Sequence, residues 1–253
     1  YAINLQTGNL LWSKKNLVSF NSQIKIFKDR FFITDLNNTL KSYSIKDGSE
    51  LWNYTTEKTF LKSQKRLSIV IHDNTVIFNS STGDVTSLNT INGKLIWQTP
   101  TQNSLYYEDT FFLKTSDMIA DGKSLIFSNN KNELYSLDIK TGILNWQQKI
   151  NSDLKSIIVN DLIITVTLEG YLVITNKLNG NILRITNIFN KLKKDKKSKI
   201  KPIGFVMGKE NIYLSLNNGR LLVINSSTGK MLSILKIDNN RISRPFIANQ
   251  YLY

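Results

Sequence analysis

The stretch Leu134-Tyr135-Ser136-Leu137-Asp138-Ile139-Lys140-Thr141-Gly142-Ile143-Leu144-Asn145-Trp146 decides the fold, because weaker copies of it recur along the chain. Apolar and polar residues alternate up to Asp138, Thr141-Gly142 closes a tight turn, and a second strand runs to a large aromatic. That is the pattern of a β-hairpin with a Trp at its far end. The turn glycine returns as Gly8, Gly48, Gly93, Gly142, Gly180 and Gly229, at successive separations of 40, 45, 49, 38 and 49 residues. A period in the forties marks a repeated supersecondary unit.

Superposing the copies shows what each position is for. Four residues before each glycine stand Asn4, Ser44, Asn89, Asp138, Asn176 and Asn225, all small, polar and able to hydrogen-bond nearby backbone as the strand enters its turn. The glycine supplies the positive φ that other residues resist. Four residues after it stand Trp12, Trp52, Trp97 and Trp146, which are all four tryptophans of the protein. In the last two copies Arg184 and Ser233 occupy that place.

Around each hairpin the sequence predicts two further strands. Residues 23–28, 30–35, 40–45 and 50–55 make one complete unit, and 67–72, 75–80, 84–89 and 94–99 the next. The fourth unit has strands at 123–128, 133–138 and 143–148, with part of the aromatic passage at 100–116 expected to supply its innermost strand. A fifth unit covers 155–187, a sixth about 203–237, and a seventh starts at Arg241. A four-stranded unit cannot bury both faces alone, and radial stacking of copies covers them, which is the β-propeller solution. The expected fold is therefore an all-β propeller of four-stranded antiparallel blades, about five full blades with partial blades at both ends, forming one domain over 1–253. A flat Trp on the outer strand suits packing between blades, with its N–H free for a backbone acceptor. A WD-type repeat does not fit, because each Trp is followed by Ser13, Asn53, Gln98 or Gln147 rather than Asp, and His72 is the one histidine. Residues 1–5 and 246–253 fall inside repeats, so the expectation is a segment of a longer propeller, an open arc rather than a six-bladed ring closed by pairing 241–253 with 1–15.

Thirty-three basic residues against nineteen acidic give a net charge of +14. Seven lysines opposed by Asp195 alone fall within 191–201, so nearly half of the excess sits in one connection. Without cysteine there is no disulfide, thiolate metal site or lipid-bearing cysteine within these residues, and without a long apolar run there is no transmembrane helix.

The recurrent alternating strand, Asx or Thr before Gly, and Trp shortly after resembles the quinoprotein-type (PQQ-like) propeller repeat, strongly in the copies ending at Trp12, Trp52, Trp97 and Trp146 and less so around Gly180 and Gly229. Within that superfamily the chain most resembles the BamB family of outer-membrane assembly propellers, which implies an eight-bladed parent. This resemblance implies a non-enzymatic, periplasmic, outer-membrane-associated scaffold in a Gram-negative envelope, docking on periplasmic domains of the barrel insertase. The rival members are quinone-dependent dehydrogenases, whose resemblance implies a quinone stacked on a Trp and a calcium ion held by convergent oxygen ligands. Neither site can be placed here, so no cofactor, metal or catalytic residue is expected. A propeller sensing a small ligand or carbohydrate is the other binding alternative.

Function is then sought where the copies differ. Lys191, Lys193, Lys194, Lys196, Lys197, Lys199 and Lys201 are candidates for contact with an acidic partner or an anionic membrane surface. A solvated charge run is the plainer explanation. Tyr106 and Tyr107 are candidate partner anchors, whereas Phe111 and Phe112 are expected in the core. Six arginines among the basic residues, no aromatics interleaved in the lysine run and no recognised binding motif argue against nucleic acid. His72 has no second histidine with which to build a metal pair.

Overall fold

The computed structural model describes residues 1–57, 63, 65–101, 114–190 and 199–253. Five four-stranded antiparallel sheets follow one another, each with its strands hydrogen-bonded in chain order. The first holds β3 (Lys25–Phe27), β4 (Arg30–Thr34), β5 (Thr39–Ser44) and β6 (Glu50–Thr55). The second holds β7 (Ile69–His72), β8 (Thr75–Asn79), β9 (Val85–Asn89) and β10 (Leu95–Thr99). The third holds β11 (Ile119–Asp121), β12 (Ser124–Asn129), β13 (Glu133–Asp138) and β14 (Leu144–Gln148). The fourth holds β15 (Ile157–Val159), β16 (Leu162–Val166), β17 (Tyr171–Asn176) and β18 (Ile182–Asn187), and the fifth β19 (Pro202–Met207), β20 (Asn211–Leu216), β21 (Arg220–Asn225) and β22 (Met231–Lys236). Two-stranded sheets precede and follow them in sequence: β1 (Ala2–Ile3) with β2 (Leu10–Trp12), and β23 (Ile247–Ala248) with β24 (Tyr251–Leu252). These are the blades of a β-propeller.

Contacts divide the chain into two compact units, Tyr1–Lys114 with Asp138–Ile143, and Thr115–Leu137 with Leu144–Tyr253. In the first, Phe32 and Leu40 of one blade pack with Ile69, Val76, Phe78 and Leu88 of the next, all fully buried. In the second, Ile164, Val166 and Leu172 pack with Phe205, Ile212, Leu214 and Leu222. Each such side chain contributes about 1.5–3 kcal/mol by leaving water. The middle strands are apolar on both faces because each blade is covered on both, as with Val76, Ile77 and Phe78 in succession on β8. The outer strands β6 and β18 instead alternate exposed and half-buried residues.

Two local expectations are corrected. The turn is wider than the tight turn expected: in all six copies the glycine N–H donates to the carbonyl four residues back, at 2.8–3.0 Å. A β-bulge follows, because the ladder slips by one residue on the far side of the turn. The side-chain oxygens of Asn4, Asn89, Asp138 and Asn176 each accept two of the amides inside that turn. The six glycines lie at φ between +67° and +74°. Second, the innermost strand of the fourth predicted unit is β11, Ile119–Asp121, beyond the aromatic passage rather than within it.

Candidate functional site

The repeat residues converge on a joint. The indole N–H groups of Trp12, Trp52, Trp97 and Trp146 donate to the carbonyls of Ile45, Thr90, Ile139 and Lys177, at 2.9, 3.1, 3.2 and 2.9 Å. Each acceptor lies three residues before the turn glycine of the following copy. The same indoles cover those glycines so closely that a Cβ on Gly48, Gly93, Gly142 or Gly180 would lie 2.5–2.7 Å from a ring carbon. Each Trp thus fastens its strand to the next copy's turn, and the glycine serves both the backbone conformation and the close approach. At Gly8 no atom of the described residues lies within 4 Å of the same position.

Arg184 makes the equivalent joint with different chemistry. Its guanidinium donates to the carbonyl of Ser226 at 3.0 Å, three residues before Gly229, and also to that of Ser227. The copy that looked eroded in sequence is therefore still fastened. A further rule went unnoticed in the sequence. The residues directly opposite the tryptophans across the ladder are Ala2, Ser42, Ser87 and Ser136, whereas Ile174 and Val223 stand opposite Arg184 and Ser233. A small partner makes room for an indole, and a branched one fills the space when the indole is gone. The signal was available six residues before each turn glycine.

All four indoles are bound at their N–H and packed on backbone turns, and no group of three or more His, Cys, Asp or Glu among the described residues could hold a metal ion. His72 meets Asp73 at 3.4 Å between Nε2 and the carboxylate. Near the chain start, Trp12 stacks on Phe31 and Phe31 on Tyr43, with ring centroids 6.1 and 5.2 Å apart, beside a cavity of about 180 Å³. Burial, followed by the adjacent Glu50, pushes the Tyr43 hydroxyl up to about 12.

Of the predicted contact residues, Lys191, Lys193, Lys194, Lys196, Lys197, Tyr106 and Tyr107 lie outside the described residues, as do Phe111 and Phe112. Lys199 and Lys201 are exposed. Asn217 clamps the backbone between them: its amide N–H₂ donates to the Lys199 carbonyl at 3.0 Å, and its side-chain oxygen accepts from the Lys201 N–H at 2.9 Å. The lysine run therefore ends on an anchored backbone beside the turn at Asn217, Asn218 and Gly219. Among the described residues no helix is long and apolar enough to cross a membrane.

The repeat carries over to known proteins. The family described as outer membrane protein assembly factor BamB matches residues 1–186. The chain belongs to this family. A solved structure of BamB from Moraxella catarrhalis matches with a TM-score of 0.82 at 18% identity, covering 99% of this chain and 74% of that one. A chain of a mitotic checkpoint complex matches with a TM-score of 0.68 at 12% identity, over 96% of this chain and 76% of its own. A quinohemoprotein alcohol dehydrogenase from Pseudomonas putida also matches with a TM-score of 0.68 at 12% identity, over 90% of this chain and 44% of its own. At these identities the structural likenesses establish the propeller fold. A comparison with curated proteins gives no match.

Proposed function

We propose that this chain is a non-catalytic scaffold of outer-membrane β-barrel assembly, held at the periplasmic face of a Gram-negative outer membrane and docking on periplasmic domains of the barrel insertase. The observation that carries this reading is the match to the assembly-factor family over residues 1–186. One feature of the chain supports it: the tryptophans of the repeat are consumed in joining copies. What is left for function is what a scaffold uses: connections of differing sequence carried on rigid strands.

The contact residues we assign to this role are Tyr106 and Tyr107 in the aromatic passage and Lys191, Lys193, Lys194, Lys196, Lys197, Lys199 and Lys201, the lysines serving an acidic partner surface or anionic membrane. The test is affinity capture of the tagged chain from a Gram-negative envelope extract. Co-purification of a barrel-insertase component is expected, with a clear loss when the lysine run is changed to Glu. Capture that recovers no insertase component would contradict the scaffold reading. Capture indifferent to both the lysines and the tyrosines would move the contact elsewhere.

A further inference from the structure

The cleft bounded by the last blade's third and outer strands is lined by Lys199, Ile200, Asn218, Arg220, Lys236, Asp238 and Asn239, and has a volume of about 530 Å³. Arg220 and Lys236 are direct partners across the β21–β22 ladder, so their side chains leave the same face of the sheet. Like charges placed opposite each other repel, and native sheets ordinarily relieve this with an acidic neighbour. Among the described residues no ion pair forms at Arg220, Lys236 or Lys199. The one carboxylate in the lining, Asp238, turns an oxygen back to the N–H of Asn240 at 2.7 Å. Three cations against one carboxylate leave the lining with a net charge of +2.

The backbone under this cluster is fixed rather than loose. The N–H groups of Ile237 and Asp238 both donate to the Gly219 carbonyl, at 2.9 and 3.1 Å, which sets the end of β22 against the turn carrying Asn218 and Arg220. Gly219 has φ +74°, and the Asp238 and Asn240 carbonyls lie where its Cβ would be. Lys199 is placed from the other side by the Asn217 clamp on its carbonyl. An open cleft on a fixed backbone, with a guanidinium and two ammonium groups unopposed among the described residues, suits a tetrahedral oxyanion, since the guanidinium fork binds two oxygens at once and the lysines supply point charge.

We propose that this cleft is a phosphate-binding site, with Arg220 as the bidentate donor and Lys199 and Lys236 as the flanking cations. The phosphate is either free in solution or the headgroup phosphate of an anionic lipid. The assignment shares Lys199 with the lysine run but rests on Arg220 and Lys236, and it does not depend on the scaffold reading.

The experiment uses the full chain, titrated with inorganic phosphate by calorimetry and assayed for co-sedimentation with phosphatidylcholine vesicles with and without phosphatidylglycerol. Compared with it are Arg220→Gln, Lys236→Gln, and a variant with Lys191, Lys193, Lys194, Lys196 and Lys197 all changed to Gln. Saturable phosphate binding is expected, weakened about tenfold or more in Arg220→Gln and Lys236→Gln and kept in the five-lysine variant. Because Lys236→Gln removes a repulsion, its unliganded thermal midpoint should equal or exceed that of the parent, so lost binding is separable from lost folding. If phosphatidylglycerol-dependent sedimentation falls with the same two substitutions, the source is a headgroup. If phosphate binds and the vesicles do not, the source is a soluble phosphate. No binding in either arm, binding that follows the five lysines, or capture of an acidic peptide at the cleft without phosphate affinity would each overturn the assignment.

Discussion

Two joints built on the same plan, Trp146 onto the turn of Gly180 and Arg184 onto the turn of Gly229, reach the same backbone acceptor by different means. Trp146 donates once, at 2.9 Å, and covers Gly180 with its ring. Arg184 donates twice, to the carbonyls of Ser226 and Ser227, and leaves Gly229 to be covered by the Thr186 side chain. The residue opposite changes in step, from Ser136 to Ile174. The exchange has a cost, because the Arg184 Nε is buried without a hydrogen-bond partner among the described residues. What the repeat holds constant is the acceptor and the left-handed glycine; the donor is interchangeable provided that the volume across the ladder is adjusted with it.

The largest expected effect separates the two joints directly. Trp146→Ala removes a side chain that is 8% exposed and should destabilise by about 3–5 kcal/mol in urea unfolding. Arg184→Ala loses hydrogen bonds at a more exposed site and should cost about 1–2 kcal/mol. Equal losses would erase the distinction between a packed and a purely hydrogen-bonded joint. Next is the glycine. Gly180→Ala meets both the strained φ and the Trp146 ring at 2.6 Å, for about 2–4 kcal/mol, whereas Gly8→Ala meets the strained φ alone, for about 1–2 kcal/mol. Thermal midpoints of the two variants should differ in that order, and the reverse order would mean that the ring moves aside freely.

The smallest effect concerns the turn acid. The Thr141 hydroxyl and N–H donate to Asp138 and hold its carboxyl below the ordinary value of 3.8. A carboxyl lowered on folding contributes stability that is present above that ordinary value and lost as pH falls through the lowered one. Asp138→Asn keeps the acceptor that Asn89 and Asn176 provide in sister turns. It should therefore change stability by about 0.5 kcal/mol or less at neutral pH, the group being well solvated, and flatten the acid limb of the midpoint against pH. An unchanged acid limb would show that this turn does not feel its charge.

Much of this was visible in the residues themselves. Glu50–Thr55 and Glu133–Asp138 fall where alternation put them, since a strand between turn signals has little freedom to shift. The wider turn was not visible, because its i to i−4 bond depends on φ and ψ rather than on the presence of glycine. Arg184 looked like decay because the comparison was made by residue type, when the property retained was an N–H donor of the right reach. The opposition of Ser42, Ser87 and Ser136 to the tryptophans could have been found by extending the alignment two residues further back. Arg220 and Lys236 could not have been paired from composition, as they are sixteen residues apart and meet only once the bulge has set the register.

The most direct test of the rule that donor and opposite residue change together is a double-mutant cycle of Ile174→Ser and Arg184→Trp. Ile174→Ser alone should cost about 2–4 kcal/mol by cavity and buried hydroxyl, and Arg184→Trp alone about 1–3 kcal/mol by crowding the isoleucine. Combined, they rebuild the Ser136–Trp146 arrangement, and the double variant should be more stable than the sum of the two by a coupling of about 1–2 kcal/mol in denaturant unfolding. Additivity within about 0.5 kcal/mol would contradict it.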